Sequence, residues 1–172
     1  ELPAIFNKVR ETIPEARLVL IGSDSFDIQT QSLSTWELLK KEFEEEDLEQ
    51  VSYLGKMSYD NVQEYIRKAN VCVFPSFAET FGMVTIEAMA MQKPVVSNDF
   101  GWSQELIVSG QNGFLVHPKK HTDFAKTIVT LLEDEHLCEK IGAAARHRVE
   151  SIFDIQQIVQ QNVDFYESII SK

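Results

Sequence analysis

Short β-branched runs alternate with longer helical patterns along the whole chain, and this alternation restricts the fold more than any other feature. Strands are predicted at ARLVLIG (16–22, centred on Leu18 to Ile21), VSYLG (51–55), NVCVFPS (70–76), KPVVSN (93–98) and GFLVHP (113–118). Helical patterns fall at about 2–12, 34–46, 60–68, 82–91, 121–133, 135–150 and 154–170. Behind Tyr59-Asp60-Asn61, for example, Val62, Tyr65, Ile66 and Ala69 recur at helical spacing. Strands separated by helices pair in parallel through right-handed crossovers. The expected fold class is therefore α/β, a Rossmann-like doubly wound parallel sheet with helices on both faces. VCVF and PVV are apolar on consecutive residues, as central strands covered on both faces require. A length of 172 residues suits one such domain. The chain opens on a helix where these sheets usually open on a strand, so it reads as a piece of a longer protein.

Charge narrows the function. Sixteen Lys and Arg against 27 Asp and Glu leave a net charge of −11, which opposes a nucleic-acid surface. The acidic runs EFEEEDLE (42–49) and EDE (133–135) read as solvated helix surface. No apolar run approaches the roughly 20 residues that span a bilayer, and ELPAIFNKVRET has no signal-peptide pattern. Cys72, inside VCVF, reads as a buried strand thiol rather than a ligand or half of a disulfide. These features fit a reducing, cytoplasmic compartment.

The chemistry concentrates at 74–118. Ligands of open α/β sheets bind beyond the carboxyl ends of the strands, and Pro75 to Gly82 forms the loop at such an end, ahead of the helix at Met83–Met91. The free amides of that helix's first turn suit an anion such as a diphosphate. Gly82 removes a side chain where a ligand must approach the backbone. Glu79 and Glu87 flank this turn. Carboxylates beside a diphosphate would be repelled, so they suit neutral hydroxyls of a sugar or ribose. The plainer readings are a helix cap for Glu79 and solvent exposure for Glu87. For Glu87 the apolar stretch MVTIEAMAM favours a cleft instead, because burying an unpaired carboxylate is costly.

PSFAETFGMVTIEAMAMQKPVV followed by GWSQELIVSGQNGFLVHP resembles the signature of the family 4 glycosyltransferases, retaining enzymes of the GT-B fold. The resemblance runs over nearly the whole chain and is specific at 75–118, where Glu79-x7-Glu87 brackets Phe81-Gly82. It implies that this is the C-terminal, donor-binding half of such an enzyme. By resemblance, Glu79 binds hydroxyls of the donor sugar and orients its anomeric carbon, the one catalytic role implied here. The turn Thr80, Phe81, Gly82 and Met83 contacts sugar and diphosphate, and Glu87 holds the ribose. Gly55 and Lys56 lie beside the base, and Gly22 borders the cleft. The donor is a UDP-, GDP- or ADP-linked sugar. The acceptor, a glycan or lipid-linked sugar, is reached through a separate N-terminal domain, which also offers a route to membrane association. No metal or other cofactor is implied.

This sequence also departs from the pattern. The strand that precedes the first helix in the family, with an Arg and a Lys for the diphosphate, is absent, as is the acceptor domain. Those cations supply the electrostatic help that usually dominates such catalysis, so the chain alone is expected to bind rather than turn over. Gln92 and Trp102 replace two family glycines, and a left-handed turn at Gln92 would cost on the order of 1 kcal/mol, enough to reshape that loop. Ser23-Asp24-Ser25-Phe26-Asp27 lacks the spacing of a metal-binding Asp-x-Asp and reads as a polar loop. His117 and His121 straddle Pro118, so they do not converge as helical i, i+4 ligands would. The last helix carries apolar positions that pack towards a partner domain in the family. The alternatives are a binding-only domain, a sugar-nucleotide epimerase of similar fold, and a receiver-type signalling domain. VCVFPS offers no phosphorylatable Asp for the last of these.

Overall fold

A computed structural model describes residues 1–170. The elements run α1 (Leu2–Thr12), β1 (Leu18–Leu20), α2 (Thr35–Lys40), α3 (Glu45–Leu48), β2 (Val51–Tyr53), α4 (Tyr59–Lys68) and β3 (Cys72–Phe74). They continue with α5 (Met83–Ala90), β4 (Val95–Ser97), α6 (Ser103–Leu106), β5 (Phe114–Leu115), α7 (His121–Glu133), α8 (Glu135–Phe153) and α9 (Ile155–Ile170). All strand pairs are parallel, with Leu18 opposite Val51, Cys72 opposite Val95 and Val96 opposite Phe114.

The core is organised about β4. Consecutive strand residues face opposite sides of a sheet, and here Val95 belongs to one apolar cluster and Val96 to the other. The first cluster takes Ile86 and Met89 from α5, Leu106 from α6 and Ala145 and Val149 from α8. The second takes Ile5 and Val9 from α1, Phe124 and Ile128 from α7 and Ile141 from α8. Strand β4 is buried at all three residues, the signature of a strand covered on both faces.

Helices α5 and α8 lock together through backbone. Gln92 lies at φ 59, and its N–H donates to Met89 O (3.0 Å) while Lys93 N–H donates to Ala88 O (3.0 Å). This is a Schellman ending with glutamine in the place usual for glycine. The loop therefore keeps the left-handed turn instead of being reshaped, and two hydrogen bonds offset a strain of roughly 1–2 kcal/mol. Gln92 O in turn rests on Gly142 of α8, where an added Cβ would lie 2.1 Å away. Arg146, one turn on, donates to Ala90 O.

Three expectations are corrected. The helix predicted over 34–46 is two short helices, because the chain turns at 41–44 to bury Phe43 edge-on against Phe6 (6.1 Å). The acidic run is consequently not all solvated: Asp47 is buried and pairs with Arg10 at 2.8 Å. The sheet also comes in two pieces, β1–β2 and β3–β4–β5, without hydrogen bonds between them among the described residues.

Cys72 is buried, and desolvation raises its thiol to about 11, so it is an inert core group. No helix among the described residues is long and apolar enough to cross a membrane. Gly142→Ala should press a methyl group into the Gln92 carbonyl and destabilise the domain by about 1–3 kcal/mol. A thermal midpoint equal to that of the unaltered chain would disprove the α5–α8 contact.

Candidate functional site

Pro75 to Gly82 leave the carboxyl end of β3 and enter α5. Gly82 is the residue before the helix and adopts φ 68, ψ 37, with no side chain capping the first turn. The amides of that turn are thus left for a ligand or water. Only glycine fits comfortably: the backbone is left-handed, and an added Cβ would meet Leu106 Cδ1 at 3.3 Å, Trp102 Cδ1 at 3.6 Å and Glu79 Cγ at 3.7 Å.

This geometry separates the readings left open for the two glutamates. Glu79 does not cap α5. Its exposed carboxylate accepts from Thr80 N–H at 3.0 Å, so it stands beside the turn with the other oxygen free. Glu87 is half-buried one turn after Met83, on the same helical face, and its carboxylate has no hydrogen-bond or ion-pair partner among the described residues. Thr80, Phe81 and Met83 are exposed. Phe81 stacks on Trp102 (5.1 Å) and meets Phe153 edge-on (6.0 Å), so Trp102 fixes the loop from outside.

The second group of predicted residues closes the carboxyl ends of β1 and β2. Gly22 N–H donates to Gly55 O at 3.0 Å, Tyr53 Oη–H donates to Gly22 O at 2.9 Å, and Lys56 is exposed. No hydrogen bond, ion pair or ring contact joins this group to Glu79–Glu87 among the described residues; what they share is the carboxyl edge of the strands.

Sequence reasoning missed a feature beside Gly22. Trp36 stacks on Tyr53 with ring centres 4.8 Å apart, at the wall of a cavity of ≈310 Å3 also lined by Leu20, Gly22 and Asp24. Asp24 holds it open. Its carboxylate accepts from Ser34 Oγ–H and from the N–H groups of Ser25 (2.9 Å) and Trp36 (3.0 Å), stitching the 24–36 loop to the start of α2. Those bonds, the one from Ser34 foremost, lower its pKa to about 2. The polar loop read from the sequence is therefore a built structure, and Ser34-x-x-Glu37, with Ser34 Oγ accepting from Glu37 N–H, was its legible signal. A larger cavity of ≈390 Å3, bordered by Asn70, Gln92, Pro94 and Cys138, lies at the opposite, amino ends of β3 and β4 and contains none of these residues. His121 pairs with Glu1, whereas His117 does not share that contact. Among the described residues, no three His, Cys, Asp or Glu side chains are grouped to hold a metal.

The family pattern of glycosyl transferases group 1 matches residues 2–148, a span that includes the turn at Gly82 and its two acids. The chain belongs to the group 1 glycosyltransferases. It is 30% identical over 164 residues to the trehalose synthase of Thermococcus litoralis, covering 95% of this chain and 39% of that protein. It is 35% identical over 96 residues to an uncharacterized glycosyltransferase of Methanocaldococcus jannaschii, over 56% of this chain and 27% of the other. The crystal structure of HepE from Anabaena in complex with UDP superposes with a TM-score of 0.84 at 28% identity, covering 96% of this chain and 44% of that one. HepE has also been seen with UDP-glucose, in a structure matching at a TM-score of 0.81. The chain thus spans between about a quarter and just under half the length of these relatives.

Two outcomes are expected. Asp24 has a depressed pKa, so its contribution to the 24–36 loop is complete above the ordinary value of 3.8 and fades as pH falls towards about 2. Trp36 fluorescence should hold steady down to about pH 4 and change below it; a transition near neutrality would refute the Asp24 network. Gly82→Ala should cost roughly 1–2 kcal/mol of stability through the left-handed backbone, which urea unfolding would measure.

Proposed function

We propose that this domain binds the nucleotide diphosphate sugar donor of a retaining, metal-independent glycosyltransferase of the family 4 type. The observation that carries the reading is the uncapped, left-handed start of α5 at Gly82 with Glu79 before it and Glu87 one turn inside it. In this reading the backbone at Thr80, Phe81, Gly82 and Met83 faces the diphosphate, where N–H groups and the helix dipole favour negative charge. Glu79 accepts hydrogen bonds from the sugar and keeps its anomeric carbon aligned. Glu87, half-buried and unpaired, accepts both ribose hydroxyls. Gly55 and Lys56 lie along the base, and Gly22 borders the cleft. HepE, of the same fold, binds UDP and UDP-glucose, which favours a uridine donor among the UDP, GDP and ADP choices.

Transfer itself needs positive charge to steady the departing diphosphate. The group flanking α5 is acidic, so that charge comes from elsewhere in the complete protein. The separation of β1–β2 from β3–β4–β5 leaves room in this reading for a further parallel strand between the two sets, which the resemblance expects to carry an Arg and a Lys. The acceptor hydroxyl then attacks on the face from which the diphosphate leaves, keeping the anomeric configuration, and is presented by a second domain.

Calorimetric titration of the chain with UDP, GDP and ADP should give saturable binding for one of them. Glu87→Ala should weaken that binding by about tenfold or more, the loss of a charge-assisted hydrogen bond worth roughly 1.5–3 kcal/mol. Unchanged affinity in Glu87→Ala would remove the ribose assignment, and no binding by any nucleotide would remove the donor site.

A further inference from the structure

Three rings from three different strand ends meet on the carboxyl edge of the larger sheet. Phe77 follows β3, Phe100 follows β4 and His117 follows β5. Phe77 lies parallel to Phe100 at 6.3 Å and edge-on to His117 at 6.3 Å, and Phe100 and His117 are 5.5 Å apart. None of the three belongs to either apolar core cluster, and Phe77 is 49% exposed. Keeping such rings together outside the core leaves apolar surface in water at the edge where α/β sheets bind ligands.

The cluster also carries oriented polar groups. Lys119 N–H donates to His117 Nδ1 at 3.2 Å, so a neutral His117 ring holds its proton on Nε2, and that N–H has no partner among the described residues. Lys119 Nζ stands 5.8 Å from the centre of the Phe77 ring. Beneath, Phe100 N–H donates to Oδ1 of the buried Asn98 (3.3 Å), which pins the loop that carries it. Aromatic faces with a few aimed donors are the composition of a small-molecule site.

We propose that Phe77, Phe100 and His117 form a platform for a pyranose ring. One face of a pyranose is a patch of C–H bonds with slight positive charge, which matches the negative face of an aromatic ring. Its rim of hydroxyl groups accepts from His117 Nε2–H and the Lys119 ammonium. Phe77 stands two residues before Glu79 in the loop that leaves β3, so the platform shares its loop with the acid assigned to the donor sugar. The inference deepens the donor-site reading and rests on it for that placement. The pyranose is either the sugar being transferred or the sugar that receives it.

Two measurements on the full-length chain separate these sources. Calorimetry compares UDP with UDP-glucose, and saturation-transfer NMR follows methyl α-D-glucopyranoside with and without UDP. Phe77→Ala and Phe77→Leu should weaken one sugar ligand by about two- to tenfold while leaving UDP unaffected, and Phe77→Trp should restore it. A loss confined to UDP-glucose assigns the platform to the donor sugar, and a loss confined to the glycoside assigns it to the acceptor. Equal sugar affinities in Phe77→Ala, Phe77→Leu and the unaltered chain would overturn the proposal, as would a glycoside and a UDP-glucose sugar that the unaltered chain ignores. Failure of UDP alone to bind would instead sink the donor site, and the glycoside arm without UDP would still decide the platform.

Discussion

Burial of Val95 and Val96 on opposite faces of one strand is the constraint from which the rest of the domain follows. Both are fully excluded from water, each in a separate apolar cluster, so α5 and α6 are held on one side, α1 and α7 on the other, and α8 contributes to both. Because β3 and β5 pair with β4 in parallel, their carboxyl ends all emerge on one edge. Every ligand-facing loop of this half of the domain is therefore positioned by a strand that solvent never reaches.

The α5–α8 contact transmits that rigidity to the candidate site. Gln92 holds a left-handed turn because two hydrogen bonds close it and Gly142 gives its carbonyl room. With its carboxyl end clamped there and by Arg146, α5 keeps its amino end fixed at Gly82. Trp102 then braces Phe81 from the neighbouring loop. The first-turn amides thus sit in place before any anion arrives, which is what preorganised recognition requires. Helix α9 contrasts with this. It buries none of its residues, and Ile155, Val159, Phe165, Tyr166 and Ile169 stay more than half exposed.

Element order was legible because each strand and helix announces itself locally. Apolar residues on consecutive positions marked β3 and β4, and i, i+3, i+4 spacing marked α4, α7 and α8 within a few residues of their ends. The misread region shows the limit. Residues 37–46 are good helix formers apart from Phe43, yet the chain breaks there so that Phe43 meets Phe6 and Asp47 meets Arg10. Neither partner is visible within a local window, since both lie in α1, more than thirty residues earlier. The same holds for the Trp36–Tyr53 pair and for the Phe77, Phe100 and His117 cluster, whose members come from separate strand ends.

By itself the sequence determined the α/β class, the parallel pairing and the place of the Glu79-x7-Glu87 turn, since these depend on periodicity and on residue types a few positions apart. Tertiary structure alone decided that Glu79 stands free of the helix cap, that the Glu87 carboxylate is half-buried without a partner among the described residues, and that β1–β2 and β3–β4–β5 form separate sheets. Those outcomes rest on which distant groups come into contact. Contact is set by the packing of whole elements against β4 and is not encoded in any short stretch of chain.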